Sequence, residues 1–233
     1  MITASRTTLA KSLALAVLAA APFAASAQFS GNLSLTSHYK FRGQDQDAST
    51  DKQFKPALQG GFDYAFANGL YLGNWNSSVN WLSGNSLEMD VYGGYKGELT
   101  AGLGYDVGVL AYVYPGNSTG NTTEVYAGLS YGPLTAKYSH TVSSDYFAYG
   151  SKAAYFNVAY AQPLAAGLTF KAAVGATRFK SAGVSDFTDY SIGLSYDLAD
   201  GLALSAAYVG ASKKPSFGFA NDNRVVLTLT KSL

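Results

Sequence analysis

The sequence contains no cysteine among its 233 residues, only two histidines and six prolines, and charged residues make up 13% of it. Without cysteine there is no disulfide framework and no thiolate chemistry of any kind. The charge content is about half the quarter expected of a soluble domain, so the chain lacks an ordinary charged skin. A formal net charge of +1 leaves no electrostatic footprint for nucleic acid. After the N-terminus no apolar run reaches the ~18 residues of a membrane-crossing helix. If the mature chain enters a membrane, it must do so as a closed β-barrel.

What is abundant is glycine (25), tyrosine (18) and phenylalanine (13). At the N-terminus Arg6 and Lys11 precede "SLALAVLAAAPFAASA", a short apolar core closing on Ala25-Ser26-Ala27. That is the pattern of a secretory signal peptide, expected to span residues 1–27 and to be cleaved before Gln28. Removing Arg6 and Lys11 from the 16 basic residues leaves 14 against 15 acidic ones in the remaining domain, 28–233.

Along that domain, alternating segments recur between two kinds of connection. Short turns fall at 67–70, 96–99, 131–134, 163–168 and 198–202, and longer polar loops at 43–55, 83–86, 115–122, 142–151, 180–186 and 211–222. Eleven connections separate twelve strands. Tight turns at one rim, longer loops at the other and an even strand count are the pattern of a bacterial outer-membrane barrel. About 17 residues per strand leaves roughly 9–11 for a tilted crossing once turns are removed.

The period of two is plain in several segments. Val125, Ala127, Leu129 and Tyr131 alternate with Glu124, Tyr126, Gly128 and Ser130, and Tyr190, Ile192, Leu194 and Tyr196 with Asp189, Ser191, Gly193 and Ser195. A soluble β-sandwich alternates too. The signal peptide, the low charge and the aromatics near segment ends (Tyr71, Trp81, Tyr105, Tyr131, Tyr160, Tyr196 and Tyr208) favour the membrane. The fold expected is an all-β, transmembrane, antiparallel up-and-down barrel of about twelve strands.

The stretches "QGGFDYAFANGLYLGNWNSSVNW" (59–81), "EMDVYGGYKGE" (88–98), "YDVGVLAYVYPG" (105–116) and "TEVYAGLSYGPLTAKYSHTVSSDYF" (123–147) resemble the TorF family of proteobacterial porins. The resemblance implies channel activity and brings no catalytic residues. One departure is the C-terminus: outer-membrane barrels commonly finish on Phe, whereas this chain ends on Leu233, with the same lipid-facing parity.

If the apolar face meets lipid, the other face lines the lumen. Parity assigns inward Lys40, Arg42, Lys96, Lys137, Lys171 and Arg224, with Asp63, Glu88, Asp90, Asp106, Glu124, Asp189 and Asp197. It also assigns inward Tyr92, Tyr112, Tyr114, Tyr126 and Tyr155. In "GLYLGNWNSSVNWL" it sends Tyr71, Trp75, Val79 and Trp81 outward and Asn74, Asn76, Ser78 and Asn80 into the lumen. A basic arc (Lys40, Arg42, Arg224) is then expected to face an acidic arc (Glu88, Asp90, Glu124) near the long-loop mouth. Either the arcs impose a transverse field on passing solutes, or the charges pair as a structural plug. Twelve strands fall between barrels filled by side chains and those holding an aqueous channel. The inward tyrosines narrow the pore, and Gly61, Gly94, Gly108, Gly128, Gly175 and Gly193 leave room.

Other chemistry finds little support. "GLSYG" (128–132) matches G-x-S-x-G, but Pro133 and Leu134 lead into another strand where that motif needs a helix. His38, expected to face inward, and His140, expected at the rim, are the only partners for a Ser130-type lipid hydrolase. Asp45, Asp47 and Asp51 lie in a polar loop without the Gly and Glu of a calcium loop, and read as solvated surface. No cofactor, metal site or catalytic residue is expected. The expected partners are outer-membrane lipids and lipopolysaccharide, the outer-membrane assembly machinery and small polar solutes; Lys213 and Lys214 in the last loop read either as contacts for lipopolysaccharide phosphates or as ordinary solvated surface. The reading is a porin-like channel for passive diffusion of small polar solutes, placed in a Gram-negative outer membrane after export through the periplasm. A closed structural or surface-interaction barrel is its alternative.

Overall fold

The computed structural model describes residues 27–233, so the expected signal peptide lies outside the described residues apart from Ala27. The strands are β1 (Gln28–Thr36), β2 (Lys40–Phe41), β3 (Gln44–Asp45), β4 (Ala57–Ala65), β5 (Leu70–Ser78), β6 (Leu87–Thr100) and β7 (Leu103–Val113). After them come β8 (Thr122–Tyr131), β9 (Leu134–Thr141), β10 (Ala153–Ala165), β11 (Leu168–Phe179), β12 (Phe187–Ala199), β13 (Leu202–Ala211) and β14 (Arg224–Ser232). β1 and β4–β14 form one closed antiparallel barrel of twelve strands, each paired with its chain neighbour. β1 closes it by pairing with β14, from Asn32↔Ser232 to Thr36↔Thr228. Closure satisfies the whole backbone ladder and leaves no edge, which is what a sheet immersed in lipid needs.

The inside-out arrangement follows from period two. Leu58 (58% exposed), Phe62 (53%), Val174 (56%) and Leu227 (50%) stand outward, while Thr177, Glu88 and Glu124 are almost completely covered from within. A soluble protein does not expose a continuous belt of leucine, valine and isoleucine around its circumference; a membrane barrel must. Tyrosine and phenylalanine fringe the belt at the short-turn end, where Phe29, Tyr64, Phe66, Tyr131 and Tyr196 are all exposed. Their amphipathic rings suit headgroup depth.

Two-residue turns such as Pro133's and the longer segments alternate between the ends as expected. The chief departure is the first long connection. β1 stops at Thr36, and residues 37–56 turn into the barrel, where β2 and β3 form a small hairpin of their own. Tyr39, Val79, Tyr112, Tyr114, Tyr146 and Phe147 make the main buried apolar cluster, with Trp75, Trp81 and Phe179 packed against it. The core of this barrel is therefore inside the long-loop half of the lumen.

Candidate functional site: the lumen and its inserted loop

The inserted hairpin turns at Arg42 and Gly43, whose φ angles are 47° and 75°. Two successive positive φ values define the tight turn that matches strand twist, and the first position normally prefers Asn, Asp or Gly. Arginine there is conformationally costly, so the surroundings must hold it. Gly43 has no alternative: a Cβ would stand 2.5 Å from the Gly210 carbonyl oxygen and 2.8 Å from Asp189 Cβ. The hairpin tip touches the wall.

Its contacts run round the lumen. Tyr39 packs edge-on against Trp75 of β5 at 5.5 Å and donates to Glu88 of β6 at 2.6 Å. Phe41 packs against Tyr112 of β7 and Phe147 of the loop after β9. Arg42 donates to both carboxylate oxygens of Glu124 on β8, at 3.0 and 2.7 Å, and lies 4.0 Å over the Tyr155 ring of β10. Gln44 donates to Asn221 at 2.8 Å, in the loop leading to β14. Asp45 collects three cations: Lys55 at 3.1 Å, Lys40 at 3.8 Å and Arg224 of β14 at 4.0 Å. Lys40 also donates to the carbonyls of Ala220 and Asp222, at 3.0 and 2.6 Å.

Burial sets the protonation of this loop. It lowers Lys40 to about 8, against the opposing pull of Asp45. It also lowers His38, whose Nε2 lies 3.2 Å from the Lys52 carbonyl. Asp222 is held below the usual carboxylate range by its hydrogen bond from Lys214.

Among the residues assigned to the lumen from sequence, Glu88, Asp90, Tyr92, Asp106, Tyr112, Glu124, Tyr126, Lys137, Lys171 and Arg224 all stand on the inner face of the wall. Lys40 and Arg42 are inside the barrel but on the hairpin, not the wall, because the first strand ends four residues before Lys40. The two expected arcs do not face each other across open water: Arg42 reaches over and pairs with Glu124.

Asn74, Asn76 and Asn80 are a correction. Leu70 and Leu72 are exposed, and Asn74 pairs directly with Phe62 and Val91, both about half exposed, so the even residues of β5 face outward. Tyr71, Trp75 and Ser77 face in. The two amides satisfy each other, Asn76 donating to Asn74 Oδ1 at 2.6 Å and Asn74 to the Asp90 carbonyl at 3.0 Å. Asn80 lies beyond the strand and binds the inserted loop through its backbone, to Gln46 and Ala48. A lumen filled by an aromatic hairpin takes Trp75 as packing and Tyr71 as a hydrogen-bond donor; that reversed the parity.

Asp45 is a second correction: it is buried at the centre of the loop's cation cluster rather than solvated, whereas Asp51 is exposed. Sequence reasoning also passed over Lys55, Tyr39, Tyr146 and Asn221. The Arg-Gly pair inside "YKFRGQD", flanked by residues that pair as Lys40↔Asp45, was the local signal for a hairpin. Ser130 lies at the short-turn end of β8 and His140 at the long-loop end of β9, facing out beside Tyr138, so the two do not meet.

The short-turn half of the lumen is built differently. Tyr71 donates to Asp106 at 2.6 Å and is hydrogen-bonded to Tyr126, while Tyr92 donates to Asp63 at 2.6 Å. Lys137 stands 3.7 Å over the Tyr126 ring. The glycines accommodate these rings: a Cβ on Gly94 or Gly108 would stand 2.5 Å from the hydroxyl of Tyr71 or Tyr126 respectively. Those glycines let the rings lie along the wall across neighbouring strands.

A closed, twelve-stranded, lipid-facing barrel with a polar, charged lumen defines a transmembrane β-barrel of the porin architecture. The chain belongs to the family described as bacterial protein of unknown function (Gcw_chp), which matches residues 19–233. The solved KdgM porin is similar in fold, with a TM-score of 0.58 at 12% identity over 88% of this chain and 99% of that one. The NanC porin gives 0.54 at 12% identity over 88% and 98%. No curated protein matches the sequence.

Proposed function

We propose that the protein is an outer-membrane channel of a Gram-negative bacterium for small polar solutes, held shut in the conformation described by its own first long loop. The long-loop end then faces outward and both termini face the periplasm. The observation that carries the reading is the division of the lumen. The short-turn half is lined by hydroxyls, carboxylates and lysines, the polar interior that a water-filled channel has. The long-loop half is occupied by a loop held to the wall by a few polar contacts, chiefly Arg42–Glu124, Tyr39–Glu88 and Asp45–Arg224.

Fold likeness to KdgM and NanC supports the channel class, as does the resemblance to TorF porins. One of the solved KdgM structures is described as a complex with oligogalacturonate. No solute is carried over from it: the inner half of this lumen places Lys96, Lys137 and Lys171 among Asp63, Asp106 and Asp197, with neither sign dominant. The assembly machinery and lipopolysaccharide belong to the same proposal, as does the absence of enzymatic activity.

A closed structural barrel is the second reading, favoured by the aromatic packing of Phe41, Tyr112, Tyr146 and Phe147 across the mouth. Liposome swelling separates the two. Proteoliposomes carrying the protein with residues 40–45 replaced by a Gly-Ser linker should swell in small sugars, and failure to swell with the barrel folded supports the structural reading.

A further inference from the structure

Three carboxylates of the lumen wall, Glu88, Asp90 and Glu124, lie on β6 and β8 at the long-loop end, and they are unequally compensated. Glu124 receives both arms of Arg42 and, at 3.2 Å, the Tyr112 hydroxyl. Glu88 accepts from the hydroxyls of Tyr39 and Tyr114. Asp90 is 7% exposed, and its Oδ1 is fully buried without a donor. Among the described residues its side chain has no ion pair.

Its neighbours are aromatic. Trp75 of β5 and Tyr112 of β7 are its direct cross-strand partners, so all three side chains share the inner face. Tyr39 of the inserted loop packs edge-on against Trp75. A buried carboxylate without a partner is strongly disfavoured until a positive charge or a proton neutralises it, and both of its cross-strand partners are aromatic.

We propose that Asp90, between Trp75 and Tyr112, is a binding position for a small monovalent cation, either an alkali-metal ion or a primary ammonium. The carboxylate supplies the charge and the rings the walls. A single carboxylate matches a single positive charge, and no group of three or more His, Asp or Glu side chains of the kind that cages calcium converges among the described residues. The position lies in the lumen but does not depend on the channel reading, since a sealed barrel holds the ion equally well.

The test uses the folded protein in detergent, with intrinsic tryptophan fluorescence as readout, because Trp75 is one of only two tryptophans. Potassium chloride, methylammonium chloride and magnesium chloride are titrated separately at constant ionic strength, balanced with a bulky tetraalkylammonium salt. A saturable change is expected for potassium or methylammonium, and the tighter of the two identifies the ligand. Asp90→Asn should weaken it at least about tenfold, the effect of losing ~1.4 kcal/mol. Asp90→Ser gives the same reading should the amide variant not fold, and Asp189→Asn, a buried inward carboxylate of β12, should leave the midpoint unchanged. No saturable change in the wild type, an unaltered midpoint in both Asp90 variants, or tightest binding of magnesium would overturn the proposal. Conductance plays no part in this readout, so its outcome and that of the channel reading are scored separately.

Discussion

Arg42 and Glu124, 82 residues apart, meet in a two-pronged ion pair whose side chains are 7% and 1% exposed. One belongs to a loop and the other to the wall, so the pair fixes a mobile class of element to a rigid one. Because both charges are out of water, removing one strands the other, at a cost of about 3–5 kcal/mol. The penalty falls on the seated position of the loop rather than on the barrel, whose twelve-strand ladder does not involve Arg42.

Arg42→Ala should therefore unseat the hairpin while leaving the barrel folded. Residues 37–56 are expected to become sensitive to added protease in intact cells, with the barrel still migrating as a folded species on unheated gels. Equal protease resistance in the variant and the wild type counts against the latch.

Gly43→Ala changes no charge and should give the same phenotype. The added methyl group meets the Gly210 carbonyl and Asp189 Cβ inside van der Waals contact, and the residue must also hold a φ of 75°. A variant that behaves as wild type in the protease assay means that the hairpin tip is not seated against β12 and β13.

Lys40 gives the loop a pH dependence. Seated, it titrates near 8, against 10.5 when free in water. Below about 8 both forms carry the proton and the full cost of burying the charge is present; between 8 and 10.5 the seated form has released it, so raising pH through that window stabilises the closed loop. Opening events in bilayer recordings should become rarer from pH 8 to 10 in the wild type, with a flat response in Lys40→Met.

Asn74 and Asn76 face lipid, so replacing both with Leu should not alter conductance in a variant whose loop has been unseated. A reduced conductance would return these amides to the lumen. The barrel itself should survive, because the paired amides give way to side chains that suit the lipid belt around Phe62 and Val91.

The barrel was legible because its determinants are local. Runs such as Val125 to Tyr131 announce both strand and facing, and loop lengths announce the rims. The parity of β5 was legible only in part: Leu70 and Leu72 mark the even side as outward, while Trp75 and the asparagines suggest the reverse. The conflict is resolved by residues far away in sequence, since Trp75 faces in to meet Tyr39 and pairs with Asp90. The inserted loop was hidden for the same reason. Asp45, Lys55 and Arg42 have the composition of a wet surface, and become an interior only through partners 10 to 179 residues distant, such as Lys55, Glu124 and Arg224. Sequence periodicity carries no information about such a fit.

The central claim, a channel closed by its own loop, is tested most directly by single-channel conductance in planar bilayers. The account predicts a wild type that is closed with brief openings, and steady ion conductance once residues 40–45 are replaced by a Gly-Ser linker. A replaced-loop barrel that is folded, inserted and still non-conducting would contradict it.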